Sequence, residues 1–125
     1  MTDALHTRCI QNGPLSLADA LAGLQRGALS APQLLEGCLT RIAARDAALH
    51  AFLHLDAEGA RGAAASPVTG PLSGIPWAIK DTFDVAGLPA TANSRFRAGR
   101  IATRDAAIVQ ALRGTGAVLL GKLST

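Results

Sequence analysis

Apolar residues near the start of the chain recur at spacings of three and four, which is the period of an amphipathic helix. The pattern predicts a first helix over residues 16–27, with Ser16 as its N-cap. It predicts a second helix over residues 31–48, where Ser30 and Gln33 satisfy the capping-box rule. Both helices are apolar on one side, so we expect that side of each to pack on a core.

Three later apolar runs have the length of β-strands. Residues 51–55 and 75–80 are short apolar runs bounded by turn residues, and both predict strands. Residues 117–120 are apolar on both faces, as in the interior of a sheet, and predict a third strand. The sequence therefore alternates helical and strand patterns, which is typical of an α/β protein.

Two segments between these runs have their own local signals. Residues 104–113 place apolar side chains on one face and predict a helix, for which Thr103 or Asp105 is the expected N-cap. Residues 58–69 are rich in glycine and alanine and end in Ser-Pro, so they fit either a poorly capped helix or a linker.

Length and composition limit the class of protein. The 125 residues suit one domain, 1–125, and the 49% hydrophobic and 17% charged residues are ordinary globular usage. The net charge of +3 is spread along the chain. Its densest cluster, formed by four arginines between Arg95 and Arg104, has only Phe96 interleaved, which favours a solvated loop over a nucleic-acid surface. We therefore expect no nucleic-acid partner.

The sequence also bears on the compartment. No charged N-terminal region precedes an apolar run, and no apolar stretch approaches the ~20 residues needed to cross a bilayer. Cys9 and Cys38 are too few for a disulfide framework or a zinc site and suit a reducing compartment, with Cys38 as a core thiol. We expect a cytoplasmic protein without a membrane partner, and the oligomeric state stays open.

Lys80 and Lys122 are the lysines of a chain whose other strongly basic side chains are arginines. Lys80 ends an apolar strand, so its amine can be desolvated, and burial lowers the pKa of a lysine by up to ~3–5 units. A neutral amine is a usable general base. The competing interpretation is an amine that reaches solvent at a strand end and pairs with Asp81 or Asp84, carboxylates that otherwise provide charge balance and turn chemistry.

The segment GPLSGIPWAIKDTFDVAGLPATANS, residues 70–94, resembles the lysine-bearing motif of the amidase signature family. That family typically has GPL-x-GIP-x-A-x-KD followed by D-x-x-GLP-T-x-GS. The positions that reproduce it are Gly70, Leu72, Gly74, Pro76, Lys80, Asp81, Gly87 and Pro89. The resemblance continues through residues 103–125, and residues 15–56 more weakly resemble the two N-terminal helices and first strand of the same enzymes. It covers nearly the whole chain.

The resemblance implies an α/β fold class, with helices packed on a mixed β-sheet. This chain would form the N-terminal part of the amidase signature fold, with about three strands. It also implies hydrolysis or transfer at the amide C–N bond of a small-molecule substrate by a Ser/cis-Ser/Lys triad, in which Lys80 is the catalytic lysine. In that mechanism the neutral amine takes a proton, through the bridging serine, from the serine that attacks the carbonyl.

The chain departs from the family pattern in several places. Both serines of such a triad come from a G-S-S-G-G-type segment that this sequence does not contain, so we expect the chain to be inactive alone. Trp77, Asn93 and Ser124 stand where the family commonly has a smaller apolar residue, glycine and asparagine, and these changes bear on the shape of the pocket. The alternative function is a non-catalytic, truncated module that binds a partner through an uncovered sheet.

Other chemistries are less well supported. Residues 116–122, GAVLLGK, imitate the phosphate-binding pattern G-x-x-x-x-G-K, but Leu123 replaces the required serine or threonine and the intervening residues are strand formers. His50 and His54 are four residues apart, whereas a metal site needs a third and usually a fourth ligand. We therefore predict no nucleotide, cofactor or metal site.

Overall fold

The computed structural model describes residues 15–124, which form helices packed on both faces of one sheet. The helices are α1 (Leu17–Gln25), α2 (Ala31–Leu49), α3 (Ala57–Ala65) and α4 (Ala107–Gly114), with a short 3-10 helix at Arg95–Arg97. The strands are β1 (Phe52–Leu55), β2 (Pro76–Lys80) and β3 (Val118–Leu123). Within the described range, no helix is both long enough and apolar enough to cross a membrane.

The first two helices begin at the caps that the sequence indicated. The Ser16 hydroxyl accepts a hydrogen bond from the Asp19 N–H, and Ser30 and Gln33 form a complete capping box. Helix α2 ends at Leu49, and its C-cap, His50, has a left-handed φ of 50°. Strand β1 begins two residues later, at Phe52. His50 therefore caps a helix and does not share a strand face with His54.

Residues 58–69, for which the sequence fitted either a helix or a linker, begin within helix α3. Its N-cap is Asp56, whose carboxylate accepts a hydrogen bond from the Gly59 N–H at 3.1 Å. Ala60 and Ala64 lie on the buried side of α3 and pack against β3 and α2. Small side chains let this short helix lie close to the sheet, so the alanine-rich composition serves packing.

The expected cap of α4 is wrong. The N-cap is Ala106, and no side chain bonds to the helix there. The Asp105 carboxylate accepts a hydrogen bond from the Ala86 N–H at 2.7 Å and pairs with Arg113 at 3.0 Å. Asp105 therefore joins α4 to the loop after β2, a long-range contact that the local sequence pattern does not reveal.

The sheet has the strand order β1-β3-β2, in which β3 pairs antiparallel with β1 and parallel with β2. This confirms the expected mixed sheet of about three strands within an α/β fold. Strand β3 extends to Leu123, beyond the predicted 117–120, because Gly121 and Lys122 pair with both neighbouring strands. Since β2 and β3 are parallel, their carboxyl ends meet at the same edge of the sheet.

Apolar side chains fill both faces of the sheet. On one face, α2 and α3 pack on Val118 and Leu120 through Leu35, Leu39, Ala60 and Ala64, and the half-buried Cys38 contacts this cluster. On the other face, Val109 of α4 packs against Ile79, Leu119 and Val85, with Trp77 at the margin. These two clusters fix the position of β2 and therefore of the lysine at its end.

Candidate functional site

Lys80 is the last residue of β2, opposite Leu123 in the parallel pair, and its side chain is exposed. Ile79 before it and Asp81 after it are both buried. The apolar strand therefore delivers Lys80 to the carboxyl edge of the sheet, as its sequence pattern predicted. The apolar pattern also led us to expect that the Lys80 amine is shielded from water. Within residues 15–124 the Lys80 side chain is exposed, so these residues do not shield it.

The competing interpretation is correct that Lys80 reaches solvent at the strand end, but in the described part of the chain it is wrong about the pairing with Asp81 or Asp84. Asp81 pairs with Lys122 at 2.6 Å, and Asp84 forms a bidentate pair with Arg100 at 2.7 Å. None of the ion pairs within residues 15–124 involves Lys80. Its charge is therefore not balanced by either of the carboxylates that follow it.

Lys122 is the buried side chain of the candidate site to which sequence reasoning assigned no role. It is 0% exposed, and its Nζ donates to Asp81 Oδ1 at 2.6 Å and to the Pro89 carbonyl at 2.7 Å. Asp81 is 2% exposed, and these two are the buried charged residues of the described range. The sequence signal that could have found it is a lysine directly after an apolar run, since a charged side chain in a buried strand needs a buried partner of opposite charge.

The Asp81 carboxylate also binds the loop after β2. Its Oδ2 accepts hydrogen bonds from the Thr91 N–H at 3.0 Å, the Thr91 hydroxyl at 2.7 Å and the Ala92 N–H at 2.9 Å. We call the set formed by Asp81, Thr91, Ala92 and Lys122 the Asp81 network. It holds together the end of β2, the end of β3 and the intervening loop.

The loop bound by this network reaches the edge where Lys80 lies. Ala92 and Asn93 adopt left-handed backbone conformations, with φ of 49° and 58°. The Asn93 Nδ2 donates to the Ser124 hydroxyl at 3.2 Å, and Ser124 directly follows the strand residue that pairs with Lys80. Two of the positions that depart from the family pattern are thus brought together, beside the end of β3.

The electrostatics of the Asp81 network predict acid sensitivity. Burial raises the pKa of Asp81, but the hydrogen bonds from Lys122 and Thr91 outweigh it, and the net pKa lies below the ordinary value of 3.8. A carboxylate with a lowered pKa stabilises the fold at pH above about 4, and that contribution is lost as the pH falls through the folded-state pKa. Urea midpoints measured from pH 7 to pH 2.5 should therefore fall less steeply for Asp81→Asn than for the wild type.

The matched control for this experiment is Glu36→Gln. The hydrogen bond from Arg61 also lowers the pKa of Glu36, but that pair is exposed at the surface. Exposed pairs contribute little to stability, so the pH profile of this variant should follow the wild type. If Asp81→Asn also kept the wild-type profile, the Asp81 network would not contribute to acid sensitivity.

The remaining candidates for chemistry are dispersed. Across residues 15–124, no group of three or more histidine, cysteine, aspartate or glutamate side chains could hold a metal ion. Residues 118–122 of the GAVLLGK sequence lie in β3, so the positions between its two glycines are mostly strand and not a phosphate-binding loop. Within the arginine cluster, Arg100 is paired with Asp84, while Arg95 and Arg97 lie on the exposed 3-10 helix.

Comparison with known proteins identifies the family of the chain. Residues 33–125 match the family model described as Amidase. A glutamyl-tRNA(Gln) amidotransferase subunit from Salinispora arenicola is 44% identical over 117 residues, which cover 86% of this chain and 24% of that protein. The chain thus spans about a quarter of the length of the curated relatives that it matches.

Solved structures give the same result. The peptide amidase from Stenotrophomonas maltophilia superposes with a TM-score of 0.82 at 33% identity, covering 91% of this chain and 25% of that one. The 6-aminohexanoate cyclic dimer hydrolase superposes with a TM-score of 0.83 at 29% identity, covering 89% of this chain and 23% of that one. Both the sequence and the fold therefore show that the chain belongs to the amidase family.

Proposed function

We propose that this chain contributes the general-base lysine, Lys80, to an enzyme that hydrolyses or transfers at amide C–N bonds. Family membership supports amide chemistry at the level of the family. The observation that supports the specific role is the contrast between the two lysines. Lys80 is exposed at the carboxyl end of β2 without an ion pair to any residue in 15–124, whereas Lys122 is fully buried. Ligands of open α/β sheets bind outside the carboxyl ends of parallel strands.

In the proposed reaction, the neutral amine of Lys80 accepts a proton from a bridging serine as that serine takes the proton of the attacking serine. The attacking oxygen bonds to the amide carbon, and the C–N bond then breaks to give an acyl-enzyme and an amine. Lys80 returns the proton to the departing nitrogen through the same bridge. Both serines must come from outside the present sequence, because no serine in it lies in a paired, glycine-flanked segment.

The role of Lys80 can be tested in a chimera. Residues 15–124 would replace the matched quarter of the Stenotrophomonas maltophilia peptide amidase, and release of ammonia or amine from a small amide would be measured. Lys80→Ala should lower kcat about 10²–10⁴-fold, which is the usual contribution of a general base. Lys80→Arg should be equally impaired, because a guanidinium does not release its proton at neutral pH.

Two controls limit the interpretation of the chimera. Arg26→Ala removes an exposed cation far along the chain from Lys80 and should leave kcat unchanged. The 125-residue chain by itself should not turn over amides. An active chimera that keeps full activity with Lys80→Ala would contradict the proposal, as would turnover by the chain alone that depends on Lys80.

The second candidate is a non-catalytic module that binds a partner through its uncovered sheet. The supporting observation is that β1 and β2 are each paired on one side only within the described range, and that Leu53 and Leu55 of β1 are exposed. This candidate assigns no role to Lys80. A chimera that is folded, as judged by circular dichroism, but inactive with Lys80 intact would favour it over catalysis.

A further inference from the structure

The Asp81 network connects the strand end at Lys80 to the loop of residues 89–93, which follows β2 along the chain. The Asp81 N–H donates to the Leu123 carbonyl at 2.9 Å, so the backbone on the carboxyl side of Lys80 is fixed to β3. The Asp81 side chain accepts four hydrogen bonds, from Lys122 and from Thr91 and Ala92 of the loop. A single buried residue next to Lys80 therefore joins the strand end to the loop.

Lys122 extends the same connection to the start of the loop. Its amine bonds to both Asp81 and the Pro89 carbonyl, and it lies opposite Ile79 in the parallel pair. The loop is thus held at Pro89 by Lys122 and at Thr91 and Ala92 by Asp81. Within the loop held by these hydrogen bonds, Ala92 and Asn93 both have left-handed backbone conformations. Such conformations persist only where the surrounding structure enforces them.

We propose that Asp81 and Lys122 are positioning residues for Lys80, which hold the loop of residues 89–93 against the carboxyl end of β2 and so determine what surrounds the Lys80 amine. This inference rests on the proposed role of Lys80. The network pairs the Asp81 carboxylate with Lys122 in the interior, so this carboxylate does not pair with the exposed Lys80. It also brings the carboxamide of Asn93, bonded to Ser124, to the same edge as Lys80.

The proposal can be tested in the 125-residue chain with Thr91→Val. This change removes the hydroxyl bond to Asp81 Oδ2 but keeps the shape of the side chain and both backbone N–H bonds. Native-state hydrogen exchange at the Thr91 and Ala92 amides should accelerate about five- to tenfold, the usual effect of one lost hydrogen bond. Exchange at Ile79 and Val118 in the sheet should stay unchanged. Asp81→Asn should accelerate loop exchange further.

The readout specific to positioning is the Lys80 amine itself. Reductive methylation with 13C-formaldehyde gives its N-methyl groups a resonance whose chemical shift reports the surroundings of that amine. Thr91→Val and Asp81→Asn should both move this resonance. The matched control, Thr103→Val, makes the same change at an exposed position and should leave the resonance in place.

The outcomes are separable from those of the catalytic test, because none of these measurements requires turnover. A loop that opens in Thr91→Val while the Lys80 resonance stays at its wild-type position would overturn the positioning role and leave Asp81 and Lys122 as structural residues only. Uniformly faster exchange in the loop and the sheet would overturn it too, since that is global destabilisation. Should Asp81→Asn fail to fold, Thr91→Val decides the result.

Discussion

Lys122→Met should lower the free energy of unfolding by about 3–5 kcal/mol, because it removes one partner of a fully buried ion pair. The Asp81 carboxylate would stay buried without its cation, and the Pro89 carbonyl would lose its donor. Urea denaturation followed by circular dichroism measures the loss. If Lys122→Met is already unfolded without urea, the loss is at least as large as the free energy of unfolding of the wild type.

Two further variants make this prediction specific. Lys80→Met applies the same substitution to the exposed lysine and should change the free energy of unfolding by less than about 0.5 kcal/mol. The double variant Lys122→Met with Asp81→Asn should recover part of the loss, since no unpaired charge is left buried. Equal urea midpoints for Lys122→Met and Lys80→Met would show that the buried pair does not stabilise the fold.

Gly116→Ala should lower the free energy of unfolding by about 2–5 kcal/mol, through steric overlap added to backbone strain. Gly116 has a φ of 85°, and a Cβ there would meet the Val68 carbonyl oxygen and lie 2.8 Å from the Ser73 Cα. Both are backbone atoms, so neither can move aside by changing a rotamer. The loop before β2 would have to shift away from the start of β3.

Gly99→Ala separates the two effects. Gly99 has a φ of 82°, almost the same as Gly116, but its Cβ would have nothing within 4 Å. Only the cost of a left-handed alanine remains, about 1–2 kcal/mol. Thermal denaturation of both variants checks the order, and an equal loss at the two glycines would show that the close approach of Val68 does not matter.

Local signals in the sequence predicted much of the fold. Ser16 and Ser30 mark helix starts because their hydroxyls reach backbone N–H groups three residues away, a contact independent of the rest of the chain. The apolar run before Lys80 likewise indicated a strand that ends at a lysine, although that strand is half-buried before Ile79 and not buried throughout. These features depend on residues that are close in sequence.

The contacts that build the candidate site depend on tertiary structure. Asp81 and Lys122 are 41 residues apart and meet only because β2 and β3 pair in parallel with one particular register. Asp105 satisfies the sequence rule for an N-cap, yet its carboxylate binds the Ala86 N–H across a separation of 19 residues. The sequence pattern assigns such residues a local role because the competing partner becomes visible only in the folded chain.

The central place of β3 has a consequence for synthesis on the ribosome. Strands β1 and β2 pair with no strand of the described range other than β3, which occupies residues 118–123. Neither can join this sheet until those residues have emerged, so only the helices can form early. During that interval the exposed edge of PWAIK is available to chaperones and to other nascent chains.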